Sequence, residues 1–161
     1  MRSLWVLLLL AVWSRPVRAQ AIVACVVSRI VDGDTFWCRG GVKVRPIGFD
    51  APERGQGVIH DSATARLARW LPLGDTVRLE RDVSRTDRYG RQLAWVWRGD
   101  TLVNERMVAS GWAVLYTVPP DVRYVERLER AERRARMAGA GLWGDTTFTC
   151  VPSRYRRGEC R

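Results

Sequence analysis

A chain of 161 residues that is 47% hydrophobic and 27% charged has the makings of one packed domain, and this balance excludes a disordered chain. The formal net charge of +10 rests almost wholly on arginine, with Lys43 the single lysine, and points to a polyanionic partner such as nucleic acid or an acidic membrane surface. One histidine, His60, and four cysteines with no Cys-x-x-Cys pair speak against a zinc site.

The N-terminus "MRSLWVLLLLAVWSRPVRAQA" combines a basic residue at Arg2, an apolar run over residues 4–13, and small residues at Ala19 and Ala21. That is the pattern of a secretory signal peptide over residues 1–19, cut after Ala19 or Ala21. The apolar run is too short for a membrane-spanning helix, which needs roughly 20 apolar residues, so no span is expected after processing. Cleavage removes Arg2, Arg15 and Arg18 and leaves the chain basic. Export to the outside or to a periplasm would let Cys25, Cys38, Cys150 and Cys160 form disulfides.

"IVACVVSRIV" and "TFWCR" are rich in β-branched and aromatic residues and are separated by the turn signal "DGD", which predicts a hairpin of residues 26–31 and 35–39. In that hairpin Cys25 and Cys38 are out of register and could be bridged only through a bulge or slippage. "VKVRPIGF" predicts a third strand, and "TVRLER" and "RQLAWVW" two more around the loop "DVSRTDRYG". Asp61 is placed to cap a helix over residues 62–71. A second helix fits residues 102–110, ended by Gly111. A third runs over residues 121–138, with Val122, Val125, Leu128, Ala131 and Ala135 at helical spacing, and Glu126/Arg130, Glu129/Arg133 and Glu132/Arg136 as supporting pairs on a solvated face. The Pro- and Arg-rich residues 145–161 show no committed element, although a Cys150–Cys160 bridge could staple them.

Five short strands with a helix inserted after the third predict an α+β fold: a five-stranded Greek-key β-barrel of the OB type with about three α-helices. No repeat or interdomain linker interrupts residues 22–144, no protein partner is marked, and a monomer is the default.

The stretch "VRPIGFDAPERG" sets Arg45 into a strand that ends in Asp50, Pro52 and Glu53, more charge than a turn requires. Asp34, in the first hairpin turn, and Asp50, at the end of the third strand, could meet at one end of the barrel as two hard oxygen donors for Ca²⁺ or Mg²⁺. Pro52 biases Ala51 toward an extended backbone, so the Ala51 carbonyl could be a third ligand. Glu53 could then stay free of the metal and take a proton from water. Arg45 and Arg91 could present planar forks to a phosphate. Taken singly these residues are unremarkable: Asp32 and Asp34 suit a turn, Arg45 could pair with Asp50 or Glu53 at a strand edge, and Arg88 and Arg91 could be solvated. Tyr89 could pack, and Trp95, Trp97, Trp112 and Trp143 read as core or surface-seam aromatics.

"VDGDTF", "VRPIGFDAPE" and "TDRYGR", in that order, resemble the staphylococcal nuclease (thermonuclease) family, with a core from residue 26 to about residue 143. The resemblance implies Arg45, Glu53 and Arg91 as the catalytic trio, Asp34, Asp50 and the Ala51 carbonyl as calcium ligands, Tyr89 as a phosphate contact, and Asp32 as an acid close to the metal. It also implies hydrolysis of DNA and RNA to products ending in 3′-phosphate. Ala51 departs from the threonine of the best-known members, and "RGQGVIHDSA" differs from the prototype's lysine-rich loop, which bears on substrate preference. Tyr116 is an aromatic that could stack on a base. A single histidine leaves two-histidine ribonuclease and phosphohistidine chemistry without their groups, and no Gly-x-Ser-x-Gly elbow marks a serine hydrolase. The rival from another class is a secreted, basic nucleic-acid-binding barrel without turnover, which has no reason to keep Glu53 and two metal carboxylates.

Overall fold

The computed structural model describes residues 22–160. The signal segment expected over residues 1–19 lies outside them. Eight strands follow in chain order: β1 (Ile22–Asp32), β2 (Thr35–Cys38), β3 (Lys43–Pro46), β4 (Phe49–Asp50), β5 (Thr76–Glu80), β6 (Gln92–Arg98), β7 (Thr101–Leu102) and β8 (Val114–Leu115). The long β1 serves both halves of the barrel. Its first residues pair antiparallel with β5 and its last with β2. β2 continues to β3 and β5 to β6, and a parallel pairing of β3 with β6 closes the ring. The outcome is the expected five-stranded mixed barrel; the three two-residue strands are additions to it.

Alternation along the strands turns Phe36, Val44, Leu79 and Trp95 into the barrel, all fully buried. Trp95 also satisfies its polar edge, donating from Nε1 to Asp82 at 3.0 Å. Its ring meets Tyr124 edge-on at a centroid distance of 5.2 Å, which ties the last long helix to the barrel.

Among the described residues there are four α-helices rather than about three: α1 (Val58–Trp70), α2 (Val103–Ala109), α3 (Val125–Met137) and α4 (Pro152–Arg156). α1 begins at Val58 instead of residue 62, because Gly57 at φ 62° turns the chain into the helix. Asp61 is therefore not the cap; it lies in the first turn, where its charge suits the helix dipole. α3 begins at Val125, not residue 121, because the buried Asp121 carboxylate accepts the backbone N–H groups of Val83 and Ser84 at 2.9 and 2.8 Å. Val122 is consequently exposed, whereas Leu128, Ala131 and Ala135 face inward as their spacing predicts. The three Glu/Arg pairs of α3 sit on its outer face at 3.8, 3.9 and 3.3 Å.

The cysteines pair as the sequence allowed, and the tail needs the largest correction. Register shifts in β1 between Val27 and Arg29 and between Ile30 and Asp32 supply the irregularity that a Cys25–Cys38 bridge requires. The two Cα atoms stand 5.4 Å apart and the disulfide forms. Cys150 pairs with Cys160, and the tail, far from uncommitted, folds as α4 within that loop.

Candidate active site

The site is assembled where the β1–β2 turn meets the end of β4. Gly33 permits the approach: a Cβ there would stand 2.7 Å from that of Ala51. Asp34 then accepts the Thr35 hydroxyl at 3.0 Å and the Ala51 backbone N–H at 3.1 Å, joining two motifs. The β4–β8 pairing sets Asp50 opposite Val114 and buries its carboxylate completely.

Arg45 projects from β3 and is nearly buried. Its Nη1 donates to the Pro46 carbonyl at 2.5 Å and its Nη2 to the Phe49 carbonyl at 2.9 Å. The same Nη2 reaches Asp50 at 3.1 Å and Asp34 at 3.2 Å, so one guanidinium bridges both carboxylates. Arg91 stands at the start of β6, the strand that pairs in parallel with β3, and closure of the barrel thereby brings it to the same end. Asp87 holds its Nε at 2.6 Å while Nη1 points to the Thr35 hydroxyl at 3.3 Å. Glu53 follows Pro52, and its backbone N–H donates to the Gln56 side chain at 2.8 Å. Behind this loop the imidazole of His60 bonds the Pro52 carbonyl at 2.8 Å through Nδ1. Tyr89 is 67% exposed, flanked by the guanidinium groups of Arg88 and Arg91 at 4.8 and 5.5 Å from its ring.

The fold thus collects Asp34, Asp50, Ala51, Arg45, Glu53 and Arg91 at one end of the barrel, with Tyr89 on the rim. Of the two partners the sequence allowed Arg45, the structure takes Asp50 and adds Asp34. Glu53 is instead paired with Arg156 of α4, which also grips Asp50 with both terminal nitrogens at 2.9 and 2.7 Å. Nothing in the local sequence around Arg156 sets it apart from its neighbouring arginines. Tyr116 lies beneath the Arg156 guanidinium, at 5.8 Å from its ring centroid.

Electrostatics follows from burial set against these guanidinium groups. Burial works to raise the Asp34 carboxyl, but the charge of Arg45 and the Ala51 N–H outweigh it and hold the group below the usual carboxylate range. Asp50 moves the other way, because its burial exceeds what Arg156 and Arg45 return. Burial and the neighbouring Asp34 push Asp32 up to about 6.

The chemistry of the donor set fits a hard divalent cation. Among the described residues no group of three or more His, Cys, Asp or Glu side chains is arranged to hold a metal, so soft or all-side-chain coordination is not offered. What is offered is the buried carboxylates of Asp34 and Asp50, hard oxygen donors of the kind such an ion takes, with the Ala51 backbone bonded to Asp34 through its N–H. Two guanidinium groups already converge on Asp50, so a divalent ion would share or contest its oxygens with them.

Comparison with known proteins agrees with this arrangement. Residues 43–145 match the family model described as "Staphylococcal nuclease homologue". The "Thermonuclease" of Staphylococcus hyicus is 32% identical over 74% of this chain and 75% of its own. The "Micrococcal nuclease" of Shigella flexneri is 34% identical over 81% of this chain and 79% of its own, and an "Uncharacterized endonuclease" of Haemophilus influenzae 35% identical over 84% and 74%. With its barrel, its motif order and these relatives, the chain belongs to the staphylococcal nuclease family.

Proposed function

We propose that this protein is an exported, calcium-dependent endonuclease that hydrolyses phosphodiester bonds in DNA and RNA by in-line attack of water. The relatives' names support nuclease activity. The observation that carries the reading is the set of contacts that runs from Arg91 through Thr35, Asp34, Arg45 and Asp50 and reaches Glu53 by way of Arg156. It supports a single pocket in which acid, base and phosphate clamp act together.

Arg45 and Arg91 bind the non-bridging oxygens of the scissile phosphate and stabilise the charge that builds up on them. Glu53 accepts the proton of the attacking water, held in place by the Gln56 contact to its backbone. Tyr89 and Arg88 receive the adjoining phosphate at the rim. Asp34, Asp50 and the Ala51 carbonyl would hold Ca²⁺, which when bound supplies a Lewis acid and a template for the phosphate. Pairing of all four cysteines suits an oxidising compartment, in keeping with the signal-like N-terminus. Among the described residues no helix is long and apolar enough to cross a membrane.

Digestion of single-stranded DNA with Ca²⁺, with chelator, and with Glu53→Gln, alongside a binding assay, tests the reading. Cutting should require Ca²⁺, and Glu53→Gln should lower turnover about 10²–10⁴-fold with binding intact. A wild-type protein that binds DNA but never cuts it with calcium present is a binding module, not an enzyme.

A further inference from the structure

The tail between Cys150 and Cys160 is built to deliver one side chain. Its helix, α4, has five residues, far below the length at which a helix holds itself together in water. Three contacts outside the helix keep it in place. The disulfide joins its flanks across a separation of ten residues. The Gln56 side chain donates to the Cys150 carbonyl at 2.8 Å while accepting the Glu53 N–H, so a single amide fastens the tail to the loop that bears the base. Tyr155 lies over Gly55 so closely that a Cβ there would collide with the tyrosine hydroxyl.

What this anchoring presents is Arg156. Its fork takes both oxygens of Asp50 at 2.9 and 2.7 Å and one oxygen of Glu53. Asp50 is wholly buried, whereas the Arg156 side chain is 40% exposed, so the guanidinium closes the carboxylate pocket from the solvent side. A bidentate guanidinium and a hard divalent ion want the same carboxylate lone pairs, and two cations side by side repel.

Resting on the calcium reading above, we infer that Arg156 is a tethered cation occupying the carboxylate pocket until a divalent ion displaces it, which makes the stapled tail a latch over the site. The staple keeps the arginine at high local concentration while leaving it removable. The latch weakens apparent metal affinity by the fraction of time it is shut: closed nine-tenths of the time, it costs about tenfold.

The test uses the full disulfide-bonded chain, first without substrate and then in digestion of single-stranded DNA. Calcium binding is measured by titration calorimetry, and hydrogen exchange is followed over Pro152–Arg156 with and without Ca²⁺. Arg156→Gln removes the cation. Gly55→Ala pushes Tyr155 off the loop and so loosens the tail without removing any charged group from the chain. Both variants should bind Ca²⁺ about tenfold more tightly than wild type, and saturating Ca²⁺ should speed exchange in the wild-type tail. Wild-type affinity in both variants, or a tail that stays protected at saturation, overturns the latch. So does an Arg156→Gln protein whose only change is a raised KM, since Arg156 would then be a substrate contact. If neither wild type nor variants bind Ca²⁺ while Arg156→Gln still frees the tail, the calcium reading has failed and competition falls with it.

Discussion

Arg45→Lys separates geometry from charge at the centre of the site. The native fork serves four acceptors, the Pro46 and Phe49 carbonyls and the Asp50 and Asp34 carboxylates, at 2.5, 2.9, 3.1 and 3.2 Å. Its side chain is only 11% exposed, so water is poorly placed to substitute. A lysine ammonium carries the charge on one nitrogen and cannot reach both carbonyls and both carboxylates at once. Two acceptors lose their donor at about 1–3 kcal/mol each, which predicts a stability loss of ~2–6 kcal/mol. Most of that range is survivable against a usual total of roughly 5–15 kcal/mol. Loss of an aligned donor to the transition state should lower turnover about 10²–10³-fold. Binding of a cleavage-resistant phosphorothioate DNA should shift by no more than about threefold, since the positive charge remains. Urea unfolding, single-turnover digestion and equilibrium binding read the three quantities. Equal losses in turnover and binding would make Arg45 a ground-state tether, and wild-type behaviour in all three would remove it from the machinery.

Asp87→Asn should loosen Arg91. Burial works to raise the Asp87 carboxyl, but its bonds with Arg91 prevail and hold it below the usual range, so its stabilising effect is present above the unfolded carboxyl pKa and lost as pH falls through the lower folded value. The variant should therefore be less stable at neutral pH, by at most ~1 kcal/mol given its partial exposure, with the gap closing in acid; thermal unfolding across pH checks the sign. Replacing Cys25 and Cys38 by serine opens a bridge between residues 13 apart and should cost ~3 kcal/mol in urea unfolding, with digestion at 25 °C little changed. An unchanged midpoint would show that the β1–β2 bulges hold without the bridge.

Much of the site could be read in the sequence because its parts lie at predictable ends of elements. Asp34 is in a hairpin turn, Asp50 ends an apolar run, and Arg91 follows a Gly turn, so alternation and turn chemistry place them without coordinates. Arg156 was illegible for the opposite reason. Its partners Glu53 and Asp50 are 103 and 106 residues away, and an arginine among arginines has no local signature. The Cys150/Cys160 spacing was the one hint that the tail had a fixed conformation. The third helix starts later than its spacing suggests because Asp121, where the expected range begins, gives its carboxylate to the backbone N–H groups of Val83 and Ser84. The Cys25–Cys38 bridge was hidden because bulges in β1 cannot be inferred from alternation alone.

The parallel seam of β3 with β6 ties cutting to completion of the fold. Val44 meets Gln92 there, and the adjoining Arg45 and Arg91 become neighbours only when that last pairing forms. A chain with its barrel still open carries the two arginines on separate segments. Whatever the two guanidinium groups do together is thus withheld by topology until the ring closes.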